Sequence, residues 1–251
     1  MSKLSIANSV VFVTGANRGI GKALVREALN RNARKVYAAA RSLEKLADVM
    51  AMAPKRIVPV VLDVTDAKQV NMATVAQDVQ ILINNAGIAN YTAIIAATDT
   101  QPARQEMEVN YFGLMNMTRA FAPILKKNGG GALVNISSVA GLVGIPSFGT
   151  YAATKAAVHS LTQSVRGELK AQGTFVAAVY PGPIDTDMSA GVDMEKFSPK
   201  DTAKKIFDGI EARSEEIYPD PVSEDLARKL KTDAKAAERE WSAMLPQPVE
   251  A

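Results

Sequence analysis

Short apolar runs alternate along this chain with longer stretches whose apolar residues recur at helical spacing. The first run, SVVFVT at 9–14, ends in a glycine turn, as a strand buried on both faces does. KALVREALNRN follows, with Ala23, Leu24, Ala28 and Leu29 at the spacing of one helical face. KVYAAA at 35–40, IVPVVL at 57–62 and VQILI at 79–83 continue the rhythm as strands two to four. In the second half a long helix is expected over 102–127, with Pro123 kinking rather than stopping it. GGGALVNIS then gives a fifth strand, 150–171 a helix, and TFVAAVY a sixth strand closed by PGP. This alternation predicts right-handed βαβ units, and hence an α/β, doubly wound parallel sheet with helices on both faces.

EEIYPDP at 215–221 is a candidate seventh strand, and about 222–244 reads as an additional charged C-terminal helix. Its stripe of Leu226, Leu230, Ala234, Ala237, Trp241 and Met244 marks a docked amphipathic helix. No linker, repeat or low-complexity stretch divides the chain, so a single domain, 1–251, is expected, with a small lid at about 187–200.

Composition narrows the chemistry. The 251 residues contain no cysteine and one histidine, which excludes disulfides and leaves few nitrogen or sulfur ligands for a catalytic zinc. The net charge of +3 comes from dispersed basic residues, not the clustered stripe of a nucleic-acid footprint. Arg26, Arg31, Arg34 and Lys35 read as a solvated helix face. No apolar run approaches the ~20 residues of a membrane span, and residues 1–9 lack a secretory signal layout. A cytoplasmic protein without metal, nucleic-acid or membrane partners is the expectation.

Gly15, Gly19 and Gly21 sit between the first strand and the first helix, where a helix N-terminus can face a phosphate. The turn suits either a dinucleotide or packing alone. The second strand ends in Ala40 and Arg41, where an NAD-type site would place an acid for the ribose 2′-hydroxyl. Arg18, inside the glycine turn, adds a second guanidinium. The two either bind a 2′-phosphate, favouring NADP(H) over NAD(H), or are solvated arginines. Further on, Tyr151 and Lys155 stand at i,i+4, with Ser138 upstream. A cation beside a phenol favours the phenolate and so makes an acid–base pair. The same spacing also fits a surface lysine one turn from a packed tyrosine.

Taken together, TGANRGIG, LDVTD, NNAG, VNYFG, NISSVAG, YAATK and PGPIDT, in that order, resemble the short-chain dehydrogenase/reductase family in its roughly 250-residue form. The resemblance implies a Rossmann-type sheet of about seven strands and an oxidoreductase reducing a ketone or aldehyde to an alcohol, reversibly, with NADP(H). It implies Tyr151 as general acid–base, Lys155 as the group lowering its pKa and holding the nicotinamide ribose, and Ser138 on the substrate oxygen. Asn110 would hold a water linking Lys155 to solvent. Cofactor contacts would come from Gly15, Asn17, Arg18, Gly19, Ile20, Gly21 and Arg41, and from Asp63 with Val64 at the adenine. Asn84, Asn85, Ala86 and Gly87 would bring backbone close, and Pro181, Gly182, Ile184 and Thr186 would flank the nicotinamide amide. The alternatives are a 3-oxoacyl-thioester reductase and a non-catalytic dinucleotide-binding sensor or scaffold.

Ile88, Tyr91, Val143, Ile145, Phe148, Met188, Val192, Met194 and Phe197 are the expected substrate lining, apolar enough for a neutral small-molecule carbonyl or alcohol. His159 and Tyr180 are assigned to packing, and Ser137 to a structural role. The charged tail departs from relatives that end in a glycine-rich tetramer contact, which puts the tetramer in doubt; a homo-oligomer (dimer or tetramer), with a dimer through the two long helices, and a monomer stay open.

Overall fold

The computed structural model describes residues 4–191 and 193–245. Seven strands form one sheet in the order β3-β2-β1-β4-β5-β6-β7. They are β1 (Val10–Thr14), β2 (Lys35–Ala40), β3 (Ile57–Val61), β4 (Ile81–Asn84), β5 (Ala132–Ile136), β6 (Phe175–Val179) and β7 (Glu216–Ile217). All pairings are parallel, with Val11 opposite Val36 on one side and Ile81 on the other. The first, second, fifth and sixth apolar runs end within a residue or two of these strands. β4 starts two residues later than the run at 79–83, because Val79 is fully buried before strand pairing begins.

Side chains alternate across the central strands. Val11 and Val13 face one core layer, with α1 (Gly19–Asn30) and α7 (Pro199–Glu211) laid over it. Val10 and Phe12 face the other, which holds Met117, Phe121, Ile124 and Leu125 of α5 (Leu114–Lys127). α6 (Gly149–Leu169) flanks α5 on that side, adding Val165 and Leu169. Arg31 is not a solvated helix charge: its guanidinium pairs with Glu27, Asp208 and Glu211 at 2.6–2.8 Å and ties α1 to α7. The short helices α2 (Ala47–Met50) and α3 (Ala67–Ala73) complete the first half.

The expected helix over 102–127 is helical throughout, but its irregularity lies elsewhere than at Pro123. α4 (Gln101–Met107) passes through a π-helical segment, Glu108–Gly113, into α5, and Pro123 sits inside α5. A π segment changes the register of the carbonyl ladder and re-aims the side chains it carries. Asn110 is among them.

The tail also differs from expectation. Two helices replace one: α8 (Pro221–Thr232) and α9 (Ala234–Ser242). Asp233 between them is extended (φ −151°, ψ 87°), and its side chain accepts from the Ala236 N–H, capping α9. Ala234 is exposed as a result, whereas Leu226, Ala237 and Trp241 are buried. Asp220 starts α8 with a reciprocal cap on Ser223, and its second oxygen accepts from the Gly182 N–H at 2.8 Å. The tail is thereby fixed to the turn that follows β6. No helix among the described residues is long and apolar enough to cross a membrane.

Candidate active site

The strand order reverses beside β1, and a cleft of about 610 Å³ opens there at the carboxyl ends of the strands, where parallel sheets place ligands. One end is built by the turn after β1. Gly15 has φ +64°, and a Cβ there would come within 2.9 Å of the Ala86 Cα, so the turn after β1 and the turn after β4 can approach only through glycine. Thr14 holds them together: its hydroxyl oxygen accepts from the N–H groups of Asn85 and Ala86 at 2.9 and 3.0 Å. Arg18 caps α1 through its backbone alone; the first turn of α1 carries no acid and no side chain bonds its free N–H groups. Those donors face the cleft, a fit for a diphosphate.

Gly15, Asn17, Arg18, Gly19, Ile20, Gly21, Arg41, Asp63 and Val64 line this end, and Lys45 joins them. Lys45 was not singled out in the sequence; its place four residues after Arg41 was the available signal. Arg18 reaches across the cleft mouth to Asp187 at 2.9 Å, an exposed pair of little energetic weight. Asp63 accepts from the Thr65 N–H and hydroxyl, which fixes its carboxylate at the end of β3.

The other end gathers Ser138, Tyr151 and Lys155, and Asn85, Ala86, Gly87, Pro181, Gly182, Ile184 and Thr186 also line the cleft, Ala86 and Thr186 beside the glycine turn. β5 delivers Ser138 through an extended residue whose hydroxyl caps the following turn at Ala140. Tyr151 and Lys155 rise from the first turns of α6. Ser137, next to Ser138, donates to the Lys155 carbonyl and locks α6 against β5.

Lys155 lies beside the Tyr151 ring but bonds elsewhere. Its Nζ donates to the Ile136 carbonyl at 2.9 Å and stands 5.5 Å from the centroid of the Tyr151 ring. Burial dominates both groups: it holds the Tyr151 phenol well above its usual range, partly offset by the Ser138 hydroxyl, and pushes the Lys155 ammonium down to about 8.

Asn110 and Asn84 are not in the cleft wall. Asn110 lies behind it, 1% exposed, donating to the Ile88 carbonyl and the Thr154 hydroxyl and accepting from the Ile88 N–H. It approaches Lys155 beneath Gly87, whose absent Cβ would come within 3.1 Å of Asn110 Oδ1 and 3.7 Å of Lys155 Nζ. Asn84 points into the sheet core. It donates to Asn135 and Thr118, because it pairs directly with Asn135 across β4 and β5.

Of the expected substrate lining, Ile88, Tyr91, Ile145, Phe148, Met188 and Met194 face the cleft. Val143 is instead 7% exposed in a core cluster with Trp241, and Phe197 is held by backbone pairing with Ile184 and Pro183. Val192 lies outside the described residues. His159 bonds the Tyr180 hydroxyl at 2.6 Å, away from the cleft. Among the described residues, no group of three or more His, Asp or Glu side chains is placed to hold a metal ion.

The family model for short chain dehydrogenase matches residues 9–196. The short chain dehydrogenase pigC of Monascus ruber is 34% identical over 204 residues, covering 76% of this chain and 67% of that protein. An uncharacterized oxidoreductase of Staphylococcus aureus is 34% identical over 213 residues, covering 80% and 90%. A short chain dehydrogenase of Burkholderia cenocepacia, solved in complex with NADP, superposes with a TM-score of 0.90 at 40% identity, covering 95% of this chain and 99% of its own. One from Streptomyces avermitilis gives 0.83 at 27%, covering 94% and 97%. The chain belongs to the short-chain dehydrogenase/reductase family and is an oxidoreductase.

Proposed function

We propose that this enzyme reduces a ketone or aldehyde to an alcohol, reversibly, with NADP(H). The observation that carries the reading is the convergence of Ser138, Tyr151 and Lys155 at one end of a cleft whose other end is edged by Arg18, Arg41 and Lys45. A dinucleotide bound in the cleft would supply a hydride to the carbonyl carbon. Charge then builds on the substrate oxygen, where the hydroxyls of Ser138 and Tyr151 donate more strongly as the transition state forms. Tyr151 gives its proton to that oxygen and takes it back in the reverse direction. Lys155, held by the Ile136 carbonyl, would hold the nicotinamide-side ribose of a bound cofactor, and its charge would stabilise the phenolate left behind.

The uncapped α1 N-terminus fits the diphosphate and the three basic side chains suit a 2′-phosphate. The NADP complex of the Burkholderia relative supports the same choice. Oxidation of NADPH, with NADH in parallel, across a panel of ketones, aldehydes and 3-oxoacyl thioesters tests the reading. Comparable specificity constants for the two cofactors would sink the preference, and NADPH binding without turnover on any carbonyl would sink the activity.

A further inference from the structure

The match to the family model ends at residue 196, yet the cleft wall does not. Trp241, on α9, lines the cleft while being only 6% exposed. It belongs to a cluster with Ile145, Phe148 and Tyr151, and with Leu226 of α8. The chain just after it is pinned in place: the Met244 carbonyl accepts from the Ser147 N–H at 3.1 Å, beside Phe148. At its other end the helix pair is fixed by Asp220 on Gly182. The indole is therefore held from both sides rather than resting on a loose tail.

Other rings line the same cleft. Phe148 meets Tyr91 edge-on at 5.6 Å between centroids, and Tyr151 at 6.4 Å. Met188 and Met194 supply thioethers to the same cleft, and the Tyr91 hydroxyl donates to the Met188 carbonyl, joining the two rims. Aromatic edges and polarizable sulfur favour a flat aromatic guest over an aliphatic one of similar size. We propose that Trp241 is a specificity-determining wall of the substrate pocket, supplied by the C-terminal helices, and that the preferred substrate is an aryl ketone or aryl aldehyde.

The proposal rests on the carbonyl-reductase reading, and the experiment separates the two. Trp241 is the only tryptophan in the sequence, so its emission reports on this wall directly. The full chain with NADP⁺ is titrated with 1-phenylethanol and, separately, with 2-butanol. In parallel, acetophenone and 2-butanone are assayed with NADPH for the parent, Trp241→Phe and Trp241→Ala. Expected are a saturable emission change with the aryl alcohol at concentrations where 2-butanol gives none, and a fall of about tenfold or more in kcat/KM for acetophenone in Trp241→Ala. The 2-butanone constant and the KM for NADPH should stay within about twofold of the parent, and Trp241→Phe should recover most of the loss. Equal losses on both ketones, or a raised KM for NADPH, would show a structural role and overturn the proposal. A saturable signal without turnover on any carbonyl keeps the wall and removes the activity. No saturable signal overturns the wall whatever the turnover.

Discussion

The Lys155 ammonium donates to the Ile136 carbonyl at 2.9 Å, so α6 is bound to the end of β5 through the same side chain that faces the reacting end of the cleft. A buried ammonium with one carbonyl partner is poorly solvated, and its pKa falls to about 8 against an unfolded value near 10.5. Between those values the unfolded chain binds more protons than the folded one, so stability rises with pH. Urea unfolding should show a gain of roughly 2–3 kcal/mol from pH 7 to 10 in the parent and a flat profile in Lys155→Met over the same range. At pH 7 Lys155→Met should be at least as stable as the parent, although inactive. Above pH 10 the buried Tyr151, with its raised pKa, acts in the opposite sense and lowers stability. A parent profile that is flat from pH 8 to 10 would refute the shift.

Removing the Tyr151 hydroxyl leaves the ring that packs on Phe148 but takes away the proposed proton donor. Tyr151→Phe should lower kcat by about 10²–10⁴ while the Kd for NADPH, measured by nucleotide fluorescence, changes by less than about twofold. A variant turning over near the parent rate would assign the proton to another group.

At the ribose end, Ala40→Asp combined with Arg41→Ala places an acid where a 2′-phosphate would sit and removes one of its partners. The ratio of kcat/KM for NADPH over NADH should fall by roughly ten- to a hundredfold, which corresponds to one or two charge-assisted bonds. An unchanged ratio would leave Arg18 and Lys45 as the deciding groups.

Asn110 satisfies both backbone groups of Ile88 from a fully buried position. Asn110→Ala orphans that N–H and carbonyl together, so a cost of about 2–4 kcal/mol is expected. For a chain of this size that corresponds to a fall in Tm of roughly 5–10 °C, readable by calorimetry. A Tm within 2 °C of the parent, about a 1 kcal/mol effect, would mean that water replaces the amide there.

Asp220 both caps α8 and holds the Gly182 N–H. Asp220→Ala should cost about 1–3 kcal/mol and make the tail cleavable by trypsin at Arg228, Lys229 or Lys231 while the sheet stays intact. Equal protection of tail and sheet would show that the apolar stripe alone docks the helices.

β2 was legible to the residue, because its short run, with Val36 and Ala38–Ala40 buried, is bounded by Arg34 and Arg41. That the glycine turn, Ser138, Tyr151 and Lys155 line one cleft was legible from the ordered motifs, whereas each spacing alone left packing open. The π segment at Glu108–Gly113 was hidden, since apolar periodicity averages over a register change of one residue. The break at Asp233 left a signal that was passed over: an aspartate followed by helix-forming AKAAERE is an N-terminal cap. Where Lys155 points is a matter of side-chain rotamer, and a stripe containing Trp241 says that it packs but not against what. Those facts belong to tertiary structure.

The docking of the tail through Asp220 and the Met244 carbonyl has an evolutionary consequence. Ser138, Tyr151, Lys155 and the glycine turn stand on strand ends and on the helices α1 and α6. The indole sits on a separate segment, docked on that frame by its apolar cluster and by the Asp220 and Met244 hydrogen bonds. Such a segment can drift or be exchanged while residues 9–196 keep the frame of the family, so one wall of the cleft can change without rebuilding the sheet.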